Sequence, residues 1–218
     1  KATKFTKKIM NNSDLAISFG CRFSPQFVGH DFKALRKAKV ISIDIEKDEL
    51  AKKGQKIDHP MNHDLKDFIP YFLKFFKKKK LKKFDNWNSV CENFKKNNPI
   101  IISKFRKNKK NKLMDLYYFM DRLGKISSKN NILVTDAGSN YYVGGQVWNF
   151  ENGQREVSSY TNAAMGLSIP LAIGAAVASP KANILAVTGD GSLELNIQEL
   201  KTISHNKFNI KLFVINNG

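Results

Sequence analysis

Acidic residues are scarce in this chain. Its 218 residues hold 19 Asp plus Glu against 37 Lys plus Arg, a formal net charge of +18. Cysteine is scarcer still. Cys21 and Cys91 stand alone, without a C-x-x-C pair or a His-spaced partner, which argues against a disulfide scaffold or a structural zinc site and suits a reducing compartment. No run approaches the roughly 20 uninterrupted apolar residues that a membrane span needs. The opening Lys-Ala-Thr-Lys-Phe-Thr-Lys-Lys has no apolar centre such as a signal peptide carries. Neither export nor membrane anchoring is indicated, and the sequence reads as cytoplasmic. Hydrophobic residues make up 42%, enough for one full core or a core plus part of another.

The excess charge is concentrated in one segment. Residues 74–112 hold 15 basic and two acidic residues, whereas 113–218 hold eight of each. Phe84, Trp87, Phe94 and Phe105 interleave with these cations, as on a nucleic-acid-binding surface. No recognised RNA-binding motif or zinc finger accompanies them. Of the 37 cations 32 are Lys, beside abundant Asn, which a source genome biased toward A·T-rich codons explains equally well. We read 77–112 as a basic interdomain connection and leave a nucleic-acid-binding module as the alternative of another class.

Residues 15–20 and 40–45 read as buried strands joined through a short helix over 32–38, a strand–crossover–strand unit. Asp44 and Glu46 close the second strand at the end where open parallel sheets bind ligands. Apolar residues at 65, 68, 69, 72, 73 and 76 trace the stripe of an amphipathic helix. From residue 113 the texture becomes neutral and small. We expect a helix over 113–123 and a strand over 132–136. A small-residue helix over 163–179 should be buried on nearly all sides, with Pro170 in its first turn behind a Ser168 cap and Pro180 stopping it. An apolar strand over 184–188, a helix over 192–204 and a strand over 210–215 complete the series. Such alternation implies parallel sheets with right-handed crossovers. The fold class is therefore α/β, with two parallel-sheet domains at 1–76 and 113–218.

The chemistry concentrates near the end. Gly189-Asp190-Gly191-Ser192 follows a strand and opens a helix, and Asn216-Asn217 closes the next strand. Neighbouring parallel strands end at one edge, so Asp190 and Asn217 converge although 27 positions separate them. A carboxylate oxygen with an amide oxygen suits a hard cation such as Mg²⁺, whose remaining positions water and phosphate fill. The glycines let the backbone approach a phosphate, and the amides of the following helix favour the anion.

Gly-Asp-Gly-Ser, 24 residues, then Asn-Asn resembles the diphosphate-binding motif of thiamine diphosphate enzymes. Residues 159–178 are similar to that family's pyrimidine-carrying segment, and Thr-Asp-Ala-Gly-Ser-Asn at 135–140 to its other diphosphate loop. With Asn-Ile-Gln-Glu-Leu at 196–200, Phe-Gly-Cys-Arg-Phe at 19–23 and Ile-Asp-Ile at 43–45, the likeness points to the acetolactate synthase branch and covers nearly the whole chain except 74–112.

This resemblance implies a cofactor-binding set of Gly138, Ser139, Asn140, Ala163, Met165, Gly189, Asp190, Gly191, Ser192 and Asn217. Asp190 and Asn217 would hold Mg²⁺. Met165 would be the bulky residue that bends the cofactor, and backbone groups of Ala163 and Met165 would bond its pyrimidine. The chain departs from the family at Thr161 and Ala163, where Gly is usual, and at Ser139 and Asn140, where acetolactate synthases commonly show Gln and His. Thiamine diphosphate and Mg²⁺ are the implied cofactors, and FAD is allowed, with Arg22 as a contact. The implied reaction is decarboxylation of a 2-oxo acid such as pyruvate followed by carboligation, in a homodimer or tetramer. A non-ligating decarboxylase or a specialised lyase on the same scaffold is the alternative. The family's activating glutamate has no counterpart here. The chain, opening at Lys1 and stopping after Asn217, reads as an internal fragment that is expected to be inactive alone.

Overall fold

The computed structural model describes residues 3–29, 33–79, 83–102, 113–159 and 162–217. His30, Phe32, Phe105 with the rest of the second basic tract, Thr161 and Gly218 lie outside the described residues. The chain forms two units, Lys1–Pro99 and Ile100–Gly218.

The first unit runs α1 (Lys4–Asn12), β1 (Leu15–Phe19), α2 (Pro25–Val28), β2 (Lys39–Asp44), α3 (Lys47–Leu50), β3 (His59–Asn62), α4 (Leu65–Lys77) and α5 (Asp85–Asn97). Its strands pair in parallel in the order β1-β2-β3, with Phe19 beside Ile43 and Ile43 beside Met61. The central strand is the most buried, and Val40 and Ile43 are sealed from solvent. Asp64 caps α4 by accepting from the Lys66 amide at 2.8 Å. The helix lays Phe68 and Phe72 on Phe19, with ring centroids 6.2 and 5.8 Å apart.

Three expectations change in this unit. The crossover helix is α2, while residues 34–37 form a turn in which Leu35 takes φ 63°. Asp44 is buried and its Oδ1 accepts from the Glu46 amide at 2.9 Å, so it braces the strand end. Residues 85–97, inside the stretch read as a connection, form α5, which packs on α1 with Lys8 Nζ 5.9 Å from the Phe94 ring centroid. The sequence reading assigns neither helix, although Trp87, Val90, Cys91 and Phe94 of α5 fall at helical spacing.

Two carboxylates are held below their ordinary range. A hydrogen bond from Lys56, then one from the Val40 amide at 2.8 Å, does so for Asp58. Arg22 at 2.9 Å, then Lys52 at 3.2 Å, does so for Glu49. A depressed folded-state value means stabilisation present above the ordinary carboxylate range and lost as pH falls through the folded value. Thermal unfolding followed from pH 7 downward should therefore hold steady to about pH 5 and then weaken. Asp58→Asn should flatten part of that fall, and an unchanged acid limb in this variant would contradict the assignment.

The second unit runs α6 (Leu116–Ile126), β4 (Asn131–Thr135), α7 (Ser139–Val147), β5 (Arg155–Val157), α8 (Ser168–Ala178), β6 (Asn183–Gly189), α9 (Asp190–Leu195), α10 (Glu199–His205) and β7 (Ile210–Ile215). The sheet is parallel throughout, in the order β5-β4-β6-β7. Successive side chains leave a strand on opposite faces. Leu133, Leu185 and Val187 accordingly meet Met120, Leu123, Val143 and Trp148 on one side. Ile132, Val134, Ile184 and Ala186 meet Ala172 and Ala176 on the other. This α/β arrangement agrees with the sequence reading.

Details differ. The first helix begins at Leu116, where Asp115 accepts from the amides of Tyr117 and Tyr118. Helix α8 starts at Ser168, after an irregular stretch, and buries one face only, with Val177 60% exposed. Ser168 does not cap it, because its hydroxyl donates to Asp136. The single helix expected over 192–204 is broken at 196–198, where the Asn196 amide side chain leaves the helix to donate to the Gly166 carbonyl at 2.8 Å. No helix among the described residues is long and apolar enough to cross a membrane.

Candidate cofactor site

Strand register sets the site. Thr135, the last residue of β4, pairs with Val187, and Gly189, the last of β6, pairs with Ile215, the last of β7. Residues 136–138, 190–191 and 216–217 therefore leave the sheet along one edge. Asp190 follows Gly189 directly, half-buried, and Asn217 lies two residues beyond Ile215, exposed. The convergence expected for these two residues is met at the level of the strands that carry them. A carboxylate and a side-chain amide are the oxygen types that a hard cation takes, and register puts the strand ends that carry them side by side.

The floor beside them is glycine. A side chain added at Gly138 or Gly189 would meet no atom within 4 Å, and one at Gly191 would meet only Met165 Cε at 3.9 Å. The three glycines, one before α7, one ending β6 and one in the first turn of α9, leave the backbone uncovered at this edge. Met165 itself is 56% exposed. Its neighbour Gly166 has φ +83°, and an added Cβ would stand 2.9 Å from both Asn196 Nδ2 and Leu195 Cβ, so only glycine fits.

The other expected site residues differ in their surroundings. Asn140 is buried, donating to the Val187 carbonyl at 2.9 Å, and its Oδ1 accepts from the Tyr141 amide. Ser139 opens α7. Ser192 is buried within α9, which begins at Asp190 and is only six residues long. Ala163 takes φ 47°, and its amide donates to the Ser159 carbonyl at 3.0 Å. Arg22 is paired with Glu49, so a flavin contact draws no support from it.

One residue escaped the sequence reading. Asp136, 2% exposed, collects hydrogen bonds from the Ala137 amide at 2.8 Å and the Gly166 amide at 3.1 Å on Oδ1. Its Oδ2 accepts from the Ser168 amide at 3.2 Å, the Ser168 hydroxyl at 2.6 Å and the Thr188 hydroxyl at 3.1 Å. The available signal was an acid directly after a wholly apolar strand, with a hydroxyl at the matching end of the next.

Residues 136–218 match the family profile of the thiamine pyrophosphate enzyme C-terminal, TPP-binding domain. The chain is 27% identical over 215 residues to the acetolactate synthase isozyme 1 large subunit of Escherichia coli K12, covering 97% of this chain and 36% of that protein. It is 31% identical over 226 residues to a probable acetolactate synthase large subunit of Methanocaldococcus jannaschii, covering 99% and 36%. It is 28% identical over 219 residues to acetolactate synthase 2, chloroplastic, of Zea mays, covering 99% and 33%. The chain resembles acetolactate synthase large subunits along nearly all its length, and its second unit carries the match to thiamine pyrophosphate enzymes. It spans about a third of the length of these relatives. In this TPP-binding domain both the metal-type donor pair and the glycine floor lie within the matched residues.

Two substitutions probe the loop of this TPP-binding domain in opposite directions. Gly166→Ala should cost about 1–3 kcal/mol, from the left-handed backbone and the blocked Cβ. Ala163→Gly should stabilise by about 0.5–1 kcal/mol, relief of the left-handed strain exceeding the added chain entropy. Chemical denaturation measures both, and a destabilised Ala163→Gly would contradict the loop geometry.

Proposed function

We propose that the protein containing this chain is a thiamine diphosphate- and Mg²⁺-dependent enzyme that decarboxylates a 2-oxo acid, pyruvate first, and joins the product to a second carbonyl compound. The observation that carries this reading is the shared sheet edge of Asp190 and Asn217 beside a glycine floor on which Met165 leans. Bound there, thiamine diphosphate supplies an electron sink for the carbanion left when carbon dioxide departs.

The chain's own residues serve to hold the cofactor. Asp190 and Asn217 offer side-chain oxygens to Mg²⁺, which in turn neutralises diphosphate charge. Gly138, Gly189 and Gly191 admit the diphosphate to backbone distance. Met165 would lie against the organic part of the cofactor, and backbone groups of Ala163 and Met165 would hydrogen-bond its pyrimidine. The reading puts the activating glutamate outside residues 1–218, and it takes the active assembly to be a cytoplasmic homodimer or tetramer. A non-ligating decarboxylase is favoured by one observation: Asn140 is turned inward, where acetolactate synthases commonly present His.

The full-length protein incubated with thiamine diphosphate, Mg²⁺ and pyruvate should yield acetolactate, and Asp190→Ala should reduce turnover to background. Acetaldehyde as the only product would replace the ligase by the decarboxylase. Asp190→Ala with wild-type activity would overturn the family mechanism for this site.

A further inference from the structure

We propose that Asp136 is the positioning residue of the cofactor cradle, holding Met165 in place over Gly191 through the Gly166 amide. This rests on the functional reading above and deepens it. The placement of its partners is the reason. Ala137 precedes Gly138, Gly166 follows Met165, and Thr188 precedes Gly189, so the carboxylate stands one residue away from three segments of the cradle. Burying a carboxylate is costly unless donors surround it. Here five hydrogen bonds do, and most of them come from beyond its own loop.

Met165 shows what those bonds control. A methionine side chain is unbranched and adaptable, and with 56% of its surface exposed it is not locked by packing. Its position must therefore come from its backbone. That backbone is clamped at Gly166 from both sides, the amide by Asp136 at 3.1 Å and the carbonyl by Asn196 at 2.8 Å. Gly166 cannot be replaced without clash, so the clamp closes on a single backbone geometry. An amide in place of the carboxylate would turn a donor toward the Ser168 N–H or the Gly166 N–H and release one side.

The test uses the full-length protein titrated with thiamine diphosphate and Mg²⁺ by calorimetry, alongside the near-ultraviolet circular dichroism induced by the cofactor. Asp136→Asn should weaken binding about ten- to hundredfold and lose the induced band. Asp121→Asn, which breaks the Lys125 ion pair of α6, should leave both readouts unchanged. In a Met165→Ala background, Asp136→Asn should have little further effect, because the two act through one contact. Should Asp136→Asn fail to fold, Ser168→Ala removes only the 2.6 Å bond and should weaken binding severalfold in the same pattern. Wild-type affinity and band in the folded variants, or an undiminished loss in the Met165→Ala background, would overturn the proposal. Absence of binding by the wild-type protein would instead overturn the functional reading, and the proposal with it.

Discussion

Backbone pairing of β4 with β6, and of β6 with β7, is the constraint on which the second unit depends. In a parallel ladder, strands that start together end together, and the hydrogen bonds leave no freedom for one loop to slide relative to the next. Thr135 opposite Val187 and Gly189 opposite Ile215 bring three chemically distinct loops to one edge. A shift of one residue would also exchange the two faces, sending Ile184 and Ala186 away from α8 and Leu185 and Val187 toward it. The apolar cores on both faces resist that slip, each fully buried aliphatic side chain contributing about 1.5–3 kcal/mol. Core packing and site geometry are thus one problem: the residues that bury the sheet also set where Asp190 and Asn217 emerge.

Above that frame the loops are held by polar contacts. Asp136 joins the ends of β4 and β6 to the turn before α8, and Asn196 ties that turn to the break between α9 and α10. Removing one partner from such a buried network leaves others unsatisfied, which costs more than the net value of the bond itself. The loop that bears Met165 combines a glycine that nothing else can replace with an alanine held in a glycine-like conformation at Ala163. That alanine, in the left-handed region of the backbone, is where the loop carries strain.

Much of this was legible in the residues alone. The strands at 132–136, 184–188 and 210–215 are short apolar runs bounded by polar turns, a pattern that leaves little choice, while Gly-Asp-Gly-Ser with Asn-Asn speaks to chemistry through the resemblance that it carries. Helix α5 does carry a stripe, at Trp87, Val90, Cys91 and Phe94, but in the sequence its aromatics read as interleaved with cations, and the short, lysine-rich α1 is assigned no element there. The break at Asn196 was hidden for a different reason. Its apolar stripe continues through Leu193, Ile197, Leu200 and Ile203, and only a tertiary bond to Gly166 takes Asn196 out of the helix. Asp136 belongs to the same class: apart from the Ala137 amide its partners lie 30 to 52 residues away, a distance at which no local pattern speaks. Asn140 was read as facing the cofactor, whereas its side chain braces Val187.

The central claim is that the β6 and β7 ends form a metal-diphosphate anchor. A crystal structure of the full-length protein grown with thiamine diphosphate and Mn²⁺ tests it most directly, because manganese marks its own position by anomalous scattering. The account predicts a peak bound by side-chain oxygens of Asp190 and Asn217, with the diphosphate over Gly138, Gly189 and Gly191 and Met165 against the organic part of the cofactor. A cofactor ordered elsewhere, or a manganese peak away from both residues, would contradict it.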